Sequence, residues 1–255
     1  MYLRWVQNTC QDMKTMKLYS SLIIIVGIIA FTLQSFRCSH TMPAHTDKTS
    51  KHMYSYLALG DSYTIGEAVP ADKSFPYQLN DSLKTVSISV NDPKIIAVTG
   101  WTTQNLINAI ASSNIRGNKY DFVTLLIGVN DQYQGLSQTN YRTNFIQLLN
   151  TSITFAKGDA TRVFVISIPD YGVTPFANGR ENTIGPEIDQ FNAINKEESD
   201  RAGVNYCNIT PISKEAATNP SLIAPDGLHP SAKMYALWVQ QLKPMVEARL
   251  KKITR

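Results

Sequence analysis

The sequence predicts an α/β fold: a mostly parallel five-stranded sheet covered by helices on both sides. Three observations carry that expectation. Beyond residue 52, short apolar runs alternate with longer amphipathic ones. The short runs are rich in Val, Ile and Leu, the composition of strands buried on both faces. The alternation continues through just over 200 residues without an internal repeat or low-complexity tract, enough chain for one well-buried domain.

Taken in order, the first strand is expected over 55–59 and runs into Gly60-Asp61-Ser62, with a helix over 76–83 behind it. The second, over 94–98, ends in Thr99-Gly100-Trp101 and precedes a helix over 103–112. The third, over 122–127, ends in Gly128-Val129-Asn130-Asp131 before a helix over 139–156. The fourth, over 162–168, leads into Pro169-Asp170-Tyr171-Gly172 and a long turn-rich segment over 170–185, then a helix over 186–202. The fifth, over 204–209, precedes Asp226-Gly227-Leu228-His229-Pro230, and a last helix covers about 231–250. Strand and helix in alternation imply a parallel sheet. Ligands of such sheets bind outside the carboxyl ends of the strands, where every one of these loops falls.

The loops hold the parts of a nucleophilic hydrolase. Of the four histidines, His40, His45 and His52 lie in the polar segment near the start, so an imidazole used by the domain has to be His229. Asp226, three residues earlier in a turn, can reach one ring nitrogen while the other faces a serine. Ser62 stands where a strand ends between two glycines, although Gly-Asp-Ser alone also suits a helix N-cap. Ester cleavage further needs donors for the developing oxyanion. The Asn130 amide and the unobstructed N–H of Gly100, together with the N–H of Ser62, fit that role; read singly, each position is also ordinary turn chemistry. Tyr63, Trp101, Tyr133, Tyr171 and Phe176 flank the same loops and are candidates for lining a substrate pocket, with segment 170–185 shaping it.

The ordered set Gly60-Asp61-Ser62, Gly100, Gly128-Val129-Asn130-Asp131 and Asp226-Gly227-Leu228-His229-Pro230 resembles the SGNH (GDSL-type) hydrolase family, over about residues 54 to 250. The surroundings of Ser62 are similar to its lysophospholipase-like and esterase branch. The resemblance implies a three-layer, flavodoxin-like α/β/α fold that works without a metal or organic cofactor. It implies Ser62, Asp226 and His229 as the catalytic triad, with Ser62, Gly100 and Asn130 around the oxyanion.

The rest of the chain bounds partners and location. Residues 18–33 are uncharged and mostly apolar behind Lys14 and Lys17, the layout of a secretory signal and just short of a comfortable span of about 20 residues. The expected division is a leader over 1–38, a polar tether over 39–52 and a hydrolase domain over 53–255. The leader is open to cleavage, to lipidation at Cys38, or to retention as a membrane tether, and each route exports the domain. The first 51 residues carry six Lys/Arg and two Asp/Glu, whereas the remaining 204 carry 18 of each. The formal net charge of +4 therefore belongs to the leader and tether, and no basic face for nucleic acid remains. Cys207 is the domain's lone cysteine, which reads as a small core residue without a disulfide framework. No phosphate loop and no paired-Cys or His-rich metal spacing is present. The expected activity is hydrolysis of a small ester or lysophospholipid-like substrate through an acyl-serine. The alternatives are thioester hydrolysis, carbohydrate O-deacetylation, and a surface carbohydrate- or lipid-binding module without turnover. Turnover is expected to rise as His229 loses its proton.

Overall fold

A computed structural model describes residues 52–253. The leader, Cys38 and most of the tether lie outside the described residues. Among the described residues seven strands form two sheets. A short parallel pair joins β1 (Met53–Tyr54) to β3 (Ser89–Val90). The main sheet contains β2 (Tyr56–Gly60), β4 (Lys94–Ala97), β5 (Phe122–Leu126), β6 (Val163–Ile166) and β7 (Asn205–Cys207). Its order is β4-β2-β5-β6-β7 and every pairing is parallel. This is the flavodoxin-like order among doubly wound sheets.

The three central strands β2, β5 and β6 are buried at every residue, which is why they read as unbroken apolar runs. The one polar side chain among them is satisfied across the sheet: Tyr56 Oη and Thr124 Oγ1 lie 2.8 Å apart. Tyr56 also stacks on Phe122, with ring centroids 4.3 Å apart.

The main helices are α2 (Phe75–Lys84), α3 (Thr103–Ser112), α5 (Gln138–Phe155), α6 (Glu181–Ala202) and α8 (Ala232–Ile253). Shorter ones are α1 (Ser62–Ile65), α4 (Val129–Tyr133) and α7 (Thr210–Lys214). The chain steps from β2 outward to β4, then reverses across β2 to β5. With right-handed crossovers, that reversal puts α2 on one face and α3, α5 and α6 on the other. The contacts agree: α2 packs on α8, while α5 packs on both α3 and α6. Trp238 and Tyr235 of α8 are buried beneath α2 and meet edge to face at 5.0 Å. Among the described residues no helix is long and apolar enough to cross a membrane.

One boundary differs from expectation. The helix expected to open at Pro186 begins five residues earlier, at Glu181, so the end of segment 170–185 is helical. Proline removes a single intrahelical bond and suits the first turn, so it was a natural marker for a start. Here burial of Ile184 and Gly185 extends the helix past it.

The reversal of winding lies between β2 and β5, and a crevice opens there beyond their carboxyl ends. Gly60 closes β2 where the backbone passes very near its neighbour. A Cβ at this position would meet the Leu126 carbonyl at 2.3 Å and Thr64 Oγ1 at 2.1 Å. A glycine there lets the chain turn sharply into α1 beside β5.

Candidate active site

Ser62 is the first residue of α1, and Asp61 is its N-cap, accepting from the Tyr63 N–H at 3.0 Å. The capping role that Gly-Asp-Ser suggests thus falls to Asp61. Ser62 is buried, 5 % exposed, yet lines a cavity of about 140 Å³ at the switch point. As the first residue of a helix it has an N–H without an intrahelical acceptor.

His229 reaches the same cavity from the opposite side of the crevice. Its backbone is held by a bond from the Ala224 N–H to the His229 carbonyl at 2.8 Å and by the Ile223–Pro230 bridge. Asp226 organises the turn. One carboxylate oxygen accepts the N–H groups of Leu228 and His229, each at 3.0 Å. The other lies 2.6 Å from His229 Nδ1. The edge of Tyr63 packs against the imidazole at 5.5 Å between centroids. Nδ1 is therefore committed to Asp226, and the ring turns its other nitrogen to the cavity that Ser62 lines. No hydrogen bond joins Ser62 to His229 in this structure; such contacts often tighten only with substrate.

Burial alone would raise the Asp226 carboxyl, but the bonds from the His229 ring and the two N–H groups hold it below the ordinary carboxylate range. It stays an anion beside the imidazole. Asp61 is the reverse case: complete burial raises it to about 8, against the bond from Tyr63, and nearby Asp131 adds to the rise.

Gly100 and Asn130 line the cavity as well. Gly100 sits in a turn closed by the Trp101 N–H to the Val98 carbonyl at 3.2 Å, with a φ of +83° that side-chain-bearing residues rarely adopt. Asn130 lies on α4, and its Nδ2 donates one hydrogen to the Trp101 carbonyl at 3.0 Å, leaving the second N–H. Four of the five sequence-predicted polar groups, those of Ser62, Gly100, Asn130 and His229, thus line one space, and Asp226 stands behind the imidazole.

Of the aromatic candidates, Tyr63, Tyr133, Tyr171 and Phe176 line this cavity. Tyr171 is fixed by its hydroxyl to Gln132 Oε1 at 2.9 Å, and by Asp170, which caps the 3₁₀ turn Tyr171–Val173 through the Gly172 N–H at 2.8 Å. Tyr133 and Phe176 stand exposed at the mouth with centroids 5.9 Å apart. Trp101 does not belong with them. Its side chain packs, partly buried, against the core, and it serves the site through its backbone carbonyl. The φ of Gly100 turns the chain, so neighbours in sequence there do not share a direction. Sequence reading passed over Thr99, Val129 and Leu228, which also line the cavity. Each adjoins a motif residue, and that adjacency was the available signal. Cys207 is a core residue: it is buried, and burial pushes its thiol up to about 12.

Comparison with known proteins bears on the fold and the family. Among the solved structures that share the fold are the following three. TesA aligns with a TM-score of 0.62 at 13% identity, covering 76% of this chain and 99% of its own. The psychrotrophic esterase EstA from Pseudoalteromonas sp. aligns at 0.60 with 16% identity, covering 78% and 99%. Axe2, an acetylxylan esterase from Geobacillus stearothermophilus, aligns at 0.61 with 16% identity, covering 76% and 94%. A comparison with curated proteins finds no match. The model of the GDSL-like Lipase/Acylhydrolase family matches residues 58–237, a span that takes in Ser62, Gly100, Asn130, Asp226 and His229, and the chain belongs to that family.

Proposed function

We propose that this GDSL-type esterase cleaves carboxylic esters through an acyl-serine formed on Ser62. The observation that carries the reading is the single cavity lined by Ser62, His229, Gly100 and Asn130, with Asp226 bonded to the far side of the imidazole at 2.6 Å. His229 takes the Ser62 proton as Oγ attacks the ester carbonyl, and Asp226 fixes the tautomer and stabilises the imidazolium. The N–H groups of Ser62 and Gly100 and the Asn130 amide hold the tetrahedral oxyanion. Collapse breaks the bond to the alcohol, which leaves with the proton from His229. Water then attacks the acyl-serine, giving its proton to His229 and releasing the acid.

The dimensions favour a small acyl group. A cavity of about 140 Å³ is close to the roughly 150 Å³ that admits one benzene. An acetyl or similar short acyl fits, whereas a long chain has to extend over the exposed Tyr133 and Phe176. That favours, as a second reading, deacetylation of a carbohydrate, the exposed rings then meeting the sugar; acetylxylan is the substrate named for Axe2. A lysophospholipid-like ester is the reading if the chain lies across the mouth. The apolar leader behind Lys14 and Lys17 supports export of the domain, free or tethered.

The test is hydrolysis of acetyl and octanoyl p-nitrophenyl esters by the full chain beside Ser62→Ala. Turnover that Ser62→Ala abolishes, with acetyl preferred, is the expected outcome. Equal rates in the two proteins would remove Ser62 as nucleophile, and preference for octanoyl would replace the short-acyl reading with the lipid one.

A further inference from the structure

Two of the three donors proposed for the oxyanion come from loops on either side of the one that bears Ser62. Gly100 follows β4 at the edge of the sheet, while Asn130 follows β5, with β2 between them. Hydrogen bonds link the two loops at two places. The first is the bond from Asn130 Nδ2 to the Trp101 carbonyl. The second is made by Asp131, a side chain to which nothing above assigns work.

Asp131 is 2 % exposed and its carboxylate accepts both donors of Thr103. One oxygen takes the Thr103 N–H at 2.8 Å and the other its hydroxyl at 2.6 Å. Thr103 is the first residue of α3, three positions after Gly100. Its N–H is one of the unpaired donors of a helix start, where a carboxylate is electrostatically favoured. The helix already has a local cap, since Thr102 and Asn105 form a capping box. The Asp131 carboxylate therefore does something the local cap does not: it clamps the end of the Gly100 turn to α4. Asn144 of α5 donates to Thr103 Oγ1 at 3.2 Å and braces the clamp from a third element. A turn residue left in water would escape the cost of desolvation that this buried carboxylate meets.

We propose that Asp131 is a positioning residue for oxyanion stabilisation: its two-point hold on Thr103 fixes the Gly100 N–H relative to Asn130 Nδ2. The inference rests on the serine-esterase reading. Such donors act only within about 2.7–3.1 Å of the oxyanion. The two loops have to keep their spacing through the reaction, and the clamp runs between them.

The test compares kcat and KM for p-nitrophenyl acetate in the full chain and in Asp131→Ala, Asp131→Asn, Thr103→Val, Asn130→Ala and the double variant Asn130→Ala/Asp131→Ala, with thermal melts of each. Asp131→Ala is expected to lose about 100-fold in kcat, the scale of a displacement near 1 Å, with KM changed little. Asp131→Asn keeps an acceptor for the Thr103 N–H and is expected to recover about tenfold of that loss. The double variant should lose less than the product of the two single losses, because both act on the same donors. A role confined to stability would instead lower the melting temperature, leave the kcat of the folded fraction unchanged and multiply through the double variant. If Asp131→Ala does not fold, Asp131→Asn and Thr103→Val carry the test, each removing one of the two bonds. Values of kcat within about twofold of wild type in the folded variants would overturn the inference alone. A wild-type chain without Ser62-dependent turnover would overturn the esterase reading and this inference together.

Discussion

At the scale of single residues, the site works by removing choices. Asp226 leaves the His229 ring one orientation, with Nδ1 bound at 2.6 Å and the turn held by two N–H bonds to the same carboxylate. Asp226→Asn keeps the size but can present an N–H to Nδ1, which favours the wrong tautomer. Its kcat is expected to fall by about 10⁴ while KM changes little, as in serine hydrolases altered at the equivalent bond. Steady-state kinetics on p-nitrophenyl acetate check this, and a fall below tenfold would mean that Asp226 does not orient the base. Asn130→Ala removes one of the three proposed donors and is expected to cost about 10²–10³ in kcat. Asn130→Asp is the more severe change, and like Asn130→Ala it also breaks the bond to the Trp101 carbonyl. It retains the size, supplies no hydrogen and places negative charge beside the oxyanion, so a variant as active as wild type would remove Asn130 from the donor set.

At the scale of elements, the wall of the cavity is built by the connection from β6 to α6. Asp170 ties its start to α7, its N–H donating to Ser213 Oγ at 2.8 Å. The Phe176 N–H donates to the Gly227 carbonyl at 3.1 Å, joining the wall to the turn that bears Asp226. Phe176 therefore stands at the mouth on a backbone anchored at both ends, and its ring contacts Tyr133. Phe176→Ala and Tyr133→Ala are each expected to raise KM for the octanoyl ester by roughly threefold to tenfold, the worth of an aromatic contact, and to leave the acetyl ester nearly unchanged. A uniform change for both esters would show that the rings do not meet the acyl chain. The sequence disclosed the elements unevenly, for physical reasons. Strands β2, β5 and β6 were legible because burial on both faces forces continuous apolar runs. Helices α1, α4 and α7 were not, since four or five residues hold too little of a period to show one. The pairing of β1 with β3 involves two residues a side and leaves no pattern. The gathering of the candidate residues at one cavity was legible because their motifs end strands, whose direction a parallel sheet fixes. Trp101 was misplaced because position in a turn depends on dihedral angles, which composition does not carry.

At the scale of the whole molecule, doubly winding the chain brings together groups that are 167 residues apart, Ser62 and His229. It also buries carboxyl groups at both ends of the sheet, which links stability to pH. Burial would raise Asp121, but Lys157 at 2.5 Å and the N–H and hydroxyl of Ser55 hold it below the ordinary carboxylate value. Such a depressed group contributes stability above its unfolded value and loses it as pH falls through the folded one, so Asp121 and Asp226 weaken the fold only in acid. Asp61 has the opposite sign. It has no exposure, one carboxylate oxygen without a partner, and a value raised by burial from 3.8 to about 8. Between those two values the unfolded chain releases the proton and the folded chain keeps it, so stability from this group is progressively lost as pH rises across the neutral range. Asp61→Asn retains the acceptor for the Tyr63 N–H without an acid to ionise. The variant is therefore expected to gain stability relative to wild type as pH rises towards 8 and to lose that advantage near 4. Urea midpoints at constant m, taken across this range, measure the difference, and every titratable group other than Asp61 is common to the two proteins. Parallel midpoint curves for wild type and Asp61→Asn would show that the Asp61 carboxyl is already ionised in the folded state.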